Sequence, residues 1–293
     1  SMAPNHERFR ADIVEVGRRL HSCGFVASND GNISVRLDDQ RLITTPKGVS
    51  KGFMTPDIMV ITDFDGRKLV GEREPSSELP MHLEIYKNRA DVKAVVHAHP
   101  PVSTGFAVAG IPLNRAVLAE VVTTLGSIPI ADYGTPSTPE LADAVSKYIK
   151  AHDGLLLANH GALTVAGELF AAYFKMETIE HFARISLSAR LLGGERMLSR
   201  DEVMRLQDLR GMYGISSPAP ICADGSPETT DVPSEDTNDV TCQVLQAPSS
   251  TNGRLVKETM SSPDSEALGK DGEIRLTYRE LSALIEDAVK QLR

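Results

Sequence analysis

The sequence predicts a three-layer α/β fold, with a sheet between two layers of helices. Short β-rich runs alternate with longer segments of helical periodicity over about the first 215 residues. That alternation is typical of a sheet covered by helices on both faces. Hydrophobic residues make up 41% of the 293-residue chain and charged residues 24%, which is ordinary for a globular protein. We therefore expect one α/β body over residues 1–215.

Each element is predicted from its periodicity, in chain order. Apolar positions between Phe9 and Leu20 recur at helical spacing, and Gly24 would end that helix. The β-rich runs that follow begin with a hairpin: NISVRL, RLITTP, IMVIT, GRKLVG, AVVHAH, IPIADY and GLLLANHGALTVA. Helices are predicted over 77–89, 139–151, 167–194 and 199–214. In the last of these, Ser199 and Glu202 have the spacing of a capping box.

The chain changes character after residue 215. Residues 216–253 contain no Lys or Arg, and Ser, Thr, Pro and acidic residues dominate. Such a tract buries too little apolar surface to offset the entropy lost on ordering, so we expect a disordered acidic linker over 216–274. Residues 275–293 then show the apolar spacing of an amphipathic helix, with Thr277 and Glu280 as its capping box.

Bulk properties exclude several classes of protein. The net charge of -9 and the pI near 5.4 argue against binding to nucleic acid, because such proteins normally carry a basic face. No apolar run approaches the roughly 18 residues of a membrane span. The N-terminal residues are polar and do not resemble a secretory signal, and the three cysteines lack metal-type spacing. We expect a cytoplasmic protein.

Three histidines lie where apolar runs end. In AVVHAHP, His97 and His99 are two residues apart, so a strand would project both to one side. Such a pair suits a metal ion, but it equally suits two hydrogen-bonded structural histidines. His160 ends another apolar run. Three histidine ligands with an open fourth position are the arrangement of catalytic zinc.

The stretch REPSSELPMH offers a group for proton transfer. Glu78 follows Ser76 and Ser77 at a predicted helix start, where hydroxyls and free backbone N–H groups suit a phosphate. The alternative is that Ser77 only caps the helix and Glu78 only favours its dipole. Further candidate donors lie in predicted turns: Asn32, Lys47 and Gly48.

The motifs GNIS, TPKG, PSSE, HAHP and NHG, in this order and at these separations, resemble the class II aldolase/adducin family. The nearest members in pattern are the zinc-dependent L-fuculose-phosphate aldolases. The resemblance covers about residues 7–215. It implies a three-layer α/β/α fold with a central mixed sheet, and a homotetramer with active sites between subunits.

The resemblance also assigns roles to residues. It implies that one zinc ion per subunit, or another divalent ion in its place, is held by His97, His99 and His160, and that Glu78 is the acid/base carboxylate. Tyr213 would reach the active site of a neighbouring subunit. The implied phosphate-binding residues are Asn32, Gly48, Ser76 and Ser77, together with Lys47, which stands where the family has a small hydroxyl residue. A second family tyrosine, expected within 113–122, has no match, and Glu120 is a substitute for it.

From this resemblance we expect zinc-dependent retro-aldol cleavage of a ketose 1-phosphate to dihydroxyacetone phosphate and lactaldehyde. L-Fuculose 1-phosphate is the first choice of substrate and L-rhamnulose 1-phosphate the second. The pentose-phosphate epimerases of the family carry Asp where this chain has Glu78, which disfavours an epimerase. Dehydratase and decarboxylase activities, found in other members of the fold, remain alternatives. A non-catalytic adducin-like interaction module is the alternative of another class, and the three histidines argue against it.

Residues 275–293 lie beyond the part that resembles the aldolases. A short amphipathic helix on a flexible linker resembles the encapsulation peptides that bind shell proteins of bacterial microcompartments, with the apolar stripe laid into a groove. The resemblance implies that the enzyme works inside such a compartment. The alternatives are docking on its own tetramer and binding to a membrane surface; the mixed charge of the polar face disfavours the membrane.

Overall fold

The computed structural model describes residues 5–215, in which eight strands form one mixed sheet. The strands are β1 (Asn32–Arg36), β2 (Arg41–Thr44), β3 (Val60–Asp63), β4 (Lys68–Val70), β5 (Ala94–Ala98), β6 (Ile130–Ala131), β7 (Gly154–Leu157) and β8 (Gly161–Ala166). Their spatial order is β4-β3-β2-β1-β5-β8-β7-β6. All neighbours pair antiparallel except β6 and β7, which pair parallel.

Within residues 5–215 there are seven α-helices: α1 (Asn5–Ser22), α2 (Leu79–Asn88), α3 (Pro101–Ala109), α4 (Ala119–Thr124), α5 (Pro139–Ile149), α6 (Leu169–Leu191) and α7 (Arg200–Met212), the last packed on α4. Helices α1, α3 and α6 pack their apolar residues into the core on one face, and α2 and α5 into the core on the other. The predicted three-layer fold with a central mixed sheet is confirmed. None of the described helices is long and apolar enough to cross a membrane.

Several elements differ from the sequence predictions. Helices α3 and α4 were not predicted, because both are short and rich in Gly or β-branched residues, which have modest helix propensity. Helix α2 begins at Leu79 rather than at residue 77. The apolar run 154–166 forms a hairpin of two strands, because Asn159 adopts a left-handed φ of 55° in the turn between them. His160 therefore lies in that turn.

The alternation of side chains along β1 and β5 directs polar residues to one face of the sheet. On β5, Ala94, Val96 and Ala98 contribute to the core under α1 and α6, so His97 faces the opposite side, toward α2. On the neighbouring strand β1, Asn32 is the register partner of His97 and projects to the same side. Polar groups from β1 and β5 thus meet under the N-terminal end of α2.

Helix α7 carries the capping box that the sequence predicts. The Ser199 side chain accepts from the backbone N–H of Glu202, and the Glu202 carboxylate accepts from the backbone N–H of Ser199 at 2.8 Å. The predicted linker over 216–274 and the predicted helix over 275–293 lie outside the described residues.

Candidate active site

Three histidines from two segments of the chain converge at one end of the sheet. His97 lies on β5, His99 follows that strand, and His160 lies in the turn before β8. Each can offer a ring nitrogen such that the three atoms lie within 4.8 Å of one another, and their ring centroids are 4.8 to 5.1 Å apart. The structure therefore brings together the three residues that the sequence proposed as metal ligands.

The hydrogen bonds behind two of these rings determine which nitrogen faces the cluster. Nδ1 of His97 lies 2.9 Å from the carbonyl oxygen of Ala162, and Nδ1 of His99 lies 3.2 Å from Oδ2 of Asp30. A carbonyl and a carboxylate only accept, so each Nδ1 carries a hydrogen and each Nε2 is the ring atom that faces the cluster. This arrangement is the usual one for histidines that bind a metal.

The two Nε2 atoms of His97 and His99 lie 3.1 Å apart. At that separation either a hydrogen on one of the two nitrogens or a cation bound by both must lie between their lone pairs. His160 presents its Nε2 toward the same centre, while its Nδ1 is buried with no hydrogen-bond partner among the described residues. The donor set therefore fits a divalent metal ion.

Close backbone approach at Gly161 makes this convergence possible. A Cβ atom on Gly161 would lie 2.6 Å from the carbonyl oxygen of Ala98 and 2.6 Å from Cδ2 of His99. Both distances are shorter than any side chain tolerates. The glycine in the NHG motif thus makes room for the His99 ring.

The Glu78 carboxylate lies against the histidine cluster. Its Oε1 is 3.1 Å from Nε2 of His160, and its Oε2 is 3.3 Å from Nε2 of His97. Asn32 donates a hydrogen bond from Nδ2 to Oε2 at 2.7 Å. Glu78 immediately precedes α2, so the alternative in which Ser77 is the N-cap is wrong, and the Glu78 side chain makes no capping hydrogen bond.

The electrostatics of the cluster keep Glu78 ionised. Burial acts to raise the pKa of Glu78, but the charge of His97 and the contacts with His160 and His97 lower that pKa well below its usual range. Burial, with a contribution from the charge of His97, lowers the pKa of His99 to about 4. An ionised carboxylate beside three imidazoles can accept a proton or approach a metal ion.

Two loops hold the predicted phosphate-binding residues next to each other. The backbone N–H of Lys47 donates to the carbonyl of Glu74 at 2.9 Å, and that of Ser76 donates to the carbonyl of Thr45 at 3.1 Å. These bonds place Lys47 and the neighbouring Gly48 beside Ser76 and Ser77. Gly48 has a φ of 73°, which only glycine adopts without strain.

Lys51 was not found by sequence reasoning. Its side chain is buried, and Nζ donates to the carbonyls of Val49 at 2.6 Å and Asn29 at 3.1 Å. Burial lowers the pKa of Lys51 to about 8, against the opposing influence of the charges on Asp30 and Glu78. Lys51 ties the Gly48 loop to the loop that precedes Asn32. A surface lysine and a buried one look alike in sequence, so no signal was available.

A buried polar group behind Asn32 was also missed. His82 on α2 contacts Asn32, and Ser34 on β1 contacts both His82 and Tyr86. A signal did exist in this case. Glu78 and His82 are four residues apart, one helical turn, and Asn32 and Ser34 are two apart, on one face of a strand.

Two predicted residues lie away from this cluster in the single subunit. Tyr213 follows α7 and is 66% exposed, and Glu120 lies in the exposed first turn of α4. Within residues 5–215, no hydrogen bond or ring contact joins either side chain to the three histidines. Their predicted catalytic roles would need a neighbouring subunit.

Comparison with known proteins identifies the family and the fold. Residues 11–187 match the family described as class II aldolase and adducin N-terminal domain. The chain is 34% identical over 209 residues to a 5-deoxy-D-ribulose 1-phosphate aldolase of Bacillus thuringiensis, covering 71% of this chain and 98% of the relative. It is 31% identical over 202 residues to a 3-oxo-tetronate 4-phosphate decarboxylase of Haemophilus influenzae, covering 67% and 94%.

A solved structure of an L-fuculose 1-phosphate aldolase superposes with a TM-score of 0.65 at 30% identity, over 70% of this chain and 95% of that one. The family match over residues 11–187 spans the sheet and the loops that carry the histidines. With three histidines and a glutamate assembled in one place, this chain belongs to the class II aldolase and adducin family, and it is an aldolase-type lyase.

Proposed function

We propose that this protein cleaves a ketose 1-phosphate into dihydroxyacetone phosphate and a short aldehyde. The observation that carries the proposal is the position of the Glu78 carboxylate, 3.1 and 3.3 Å from two of the three clustered histidines. A proton-transfer group there would share its site with a Lewis acid, as metal-assisted carbon–carbon cleavage requires. The loops that carry Gly48 and Ser76 lie on the same side as Glu78 and would bind the phosphate.

His97, His99 and His160 would hold one divalent ion, and zinc suits three imidazole ligands with an open position best. When bound, such an ion supplies Lewis-acid polarisation of the ketose oxygens. Hydrogen bonds from Asn32, the Gly48 backbone and the hydroxyls of Ser76 and Ser77 would orient the phosphate, to which Lys47 adds a positive charge.

The reaction moves one proton between the two products. The hydroxyl on the departing fragment loses its proton as the carbon–carbon bond breaks, and that fragment leaves as the aldehyde. The carbon left behind gains a proton and becomes part of dihydroxyacetone phosphate. The Glu78 carboxylate, ionised at rest, would take up the proton that the hydroxyl releases and relay it to that carbon. Tyr213 from a neighbouring subunit of a homotetramer would handle that proton near the aldehyde oxygen on its way to Glu78.

The substrate is proposed as L-fuculose 1-phosphate first and L-rhamnulose 1-phosphate second, with lactaldehyde as the aldehyde. The relative named for 5-deoxy-D-ribulose 1-phosphate adds a shorter ketose of the same type. All three substrates share the three-carbon product. L-Fuculose and L-rhamnulose 1-phosphate are stereoisomers that give the same aldehyde, and the shorter ketose gives a shorter one. A screen of ketose 1-phosphates with a coupled assay for dihydroxyacetone phosphate tests the proposal. Release of dihydroxyacetone phosphate from none of them by the metal-loaded enzyme would contradict it.

A second candidate is decarboxylation of a 3-oxo acid phosphate, since a relative of similar identity carries that name. The same cluster could polarise a ketone next to the bond that breaks, with carbon dioxide leaving instead of an aldehyde. Measuring carbon dioxide release from 3-oxo-tetronate 4-phosphate separates the two candidates, because an aldolase specific for ketose 1-phosphates releases none.

We further propose that residues 275–293 direct the enzyme to a bacterial microcompartment by binding a shell protein, joined to an α/β body over 1–215 by a linker over 216–274. The apolar stripe and capping box in the sequence support this proposal. A confining shell would suit a small, reactive aldehyde.

Fusion of residues 275–293 to a fluorescent protein tests the targeting in shell-producing cells, where we expect fluorescence concentrated in the compartments. A fusion in which Leu284 and Ile285 are replaced by Ser is the matched control and should stay diffuse. Diffuse fluorescence from the intact fusion, or loss of aldolase activity when these residues are deleted from the enzyme, would contradict the targeting role.

A further inference from the structure

We infer that His82 is a positioning residue that orients the side-chain amide of Asn32 toward Glu78. The inference rests on the proposed function, in which Glu78 transfers a proton. It concerns a buried chain of hydrogen-bonded side chains behind the site, which joins β1 to α2. The members of this relay are Glu78, Asn32, His82, Ser34 and Tyr86.

The relay is shielded from water over its whole length behind Glu78. His82 and Ser34 have no exposed surface, and Asn32 and Tyr86 are each 3% exposed. Nδ1 of His82 lies 2.6 Å from Oγ of Ser34, which lies 2.8 Å from the hydroxyl of Tyr86. Nε2 of His82 contacts Oδ1 of Asn32. Leaving any one of these buried polar groups without a hydrogen-bond partner would lower the stability of the fold.

The direction of each hydrogen bond follows from the chemistry of the groups. Nδ2 of Asn32 donates to Oε2 of Glu78 at 2.7 Å. Oδ1 of Asn32 then faces His82 and requires a donor. Burial, with the charge of His97, lowers the pKa of His82 to about 3, so the ring is neutral and carries one hydrogen.

That hydrogen must lie on Nε2, because Oδ1 of Asn32 cannot donate. Nδ1 of His82 is left as an acceptor for the hydroxyl of Ser34, which in turn accepts from Tyr86. A ring with the hydrogen on Nδ1 would place two acceptors against each other at Asn32. The amide would then turn over and aim its oxygen at the Glu78 carboxylate, which repels it. His82 thus holds Glu78 in place through Asn32 without touching the reacting atoms.

Two substitutions at His82 separate orientation from packing. Glutamine places an amide N–H near the position of Nε2 and can still donate to Asn32, whereas phenylalanine fills the space and donates nothing. We expect His82→Phe to lower kcat by roughly 10- to 100-fold, the usual range for partners behind the ligands of a metal site. KM should change by less than about threefold, and His82→Gln should restore most of kcat.

Helix α2 offers a matched control in Met81→Leu, because Met81 is equally buried but belongs to the apolar core. This variant perturbs packing and should leave kcat near the wild-type value. Metal content and circular dichroism of every variant establish that it is folded and loaded. Wild-type kcat in His82→Phe, or equal losses in the Phe and Gln variants when both are folded and metal-loaded, would overturn the inference.

A spectroscopic measurement on the wild-type protein tests the tautomer of His82 without an activity assay. It can be made even if His82→Phe does not fold. Long-range correlation of ring nitrogens in protein labelled with ¹⁵N-histidine reports the tautomer of His82, assigned by comparison with His82→Gln. We expect a neutral ring with hydrogen on Nε2. Hydrogen on Nδ1, or a doubly protonated ring at neutral pH, would refute the inference even if no substrate were cleaved. Failure of the substrate screen with the expected tautomer would count against the proposed function alone.

Discussion

At the scale of single residues, Glu78 and the histidines divide the chemistry between proton transfer and metal binding. Glu78 is held by a hydrogen bond from Asn32 and by contacts with His97 and His160, and its side chain is 12% exposed. The pKa of its carboxyl is well below the usual range. Each of these contacts can be removed separately, so the two roles can be tested separately.

Replacing Glu78 by Gln preserves its shape and removes its ability to carry a proton. We expect kcat for the ketose 1-phosphate to fall by roughly 10²- to 10⁴-fold while the metal stays bound. His160→Ala is the contrasting variant and should lose both metal and activity. Steady-state kinetics and metal analysis of the purified variants provide the test. An unchanged kcat in Glu78→Gln would assign proton transfer to another group, and full activity of His160→Ala in the presence of a chelator would exclude the metal site.

At the scale of elements, the site depends on how closely β5 and β8 approach each other at the end of the sheet. These strands pair antiparallel from Ala94 with Ala166 to Ala98 with Ala162, next to Gly161. The turn that leads into β8 carries His160. The positions of all three histidines thus depend on one strand pairing.

Gly161→Ala tests this dependence. The new Cβ would lie 2.6 Å from the carbonyl oxygen of Ala98 and from the ring of His99, so either the strand pairing or the ring must move. We expect a loss of about 1–3 kcal/mol of unfolding free energy and at least about tenfold weaker metal binding. Denaturant unfolding and metal titration measure these two effects.

Gly105→Ala on α3 is the matched control, because no atom lies within 4 Å of its added Cβ. It should leave metal affinity unchanged and raise stability by up to about 1 kcal/mol. Equal metal affinity in both alanine variants would show that the approach at Gly161 is not needed for the site.

At the scale of the whole molecule, buried neutral histidines make the stability of the fold depend on pH. His152 is 5% exposed between α5 and β7, and its Nδ1 lies 3.2 Å from the carbonyl of Ser127. Burial lowers its pKa to about 4, against an ordinary value of 6.5. The unfolded chain therefore binds more protons than the folded one between these two pH values, and stability must fall as the solution is acidified.

The difference between the two pKa values of His152 corresponds to a loss of about 3 kcal/mol of unfolding free energy between pH 6.5 and 4, at about 1.4 kcal/mol per pKa unit. Urea unfolding at pH 7 and at pH 4.5 should show the loss, and His152→Gln, which cannot titrate, should show a smaller one. Identical pH slopes for the two proteins would contradict the assignment. His82, whose pKa is lowered to about 3, contributes to the pH dependence of stability in the same direction. It remains in His152→Gln, so that variant should still lose some stability on acidification.

Sequence by itself determined the layers of this protein and most of its candidate site. Alternation and helical spacing predict β1 to β5 and the long helices, because side-chain periodicity is a local property of an element. The motifs that contain Asn32, Gly48, Ser76, Glu78 and the three histidines identify the groups that the structure then brings together.

Only the tertiary structure decided how those groups act on one another. The strand pairing that sets Asn32 opposite His97, the burial that lowers the pKa of Lys51 and the relay through His82 all join residues distant in the chain. Helices α3 and α4 are held by packing rather than by propensity, so local periodicity did not reveal them. Burial, register and hydrogen-bond direction are properties of the assembled fold, and for that reason no local pattern in the sequence contains them.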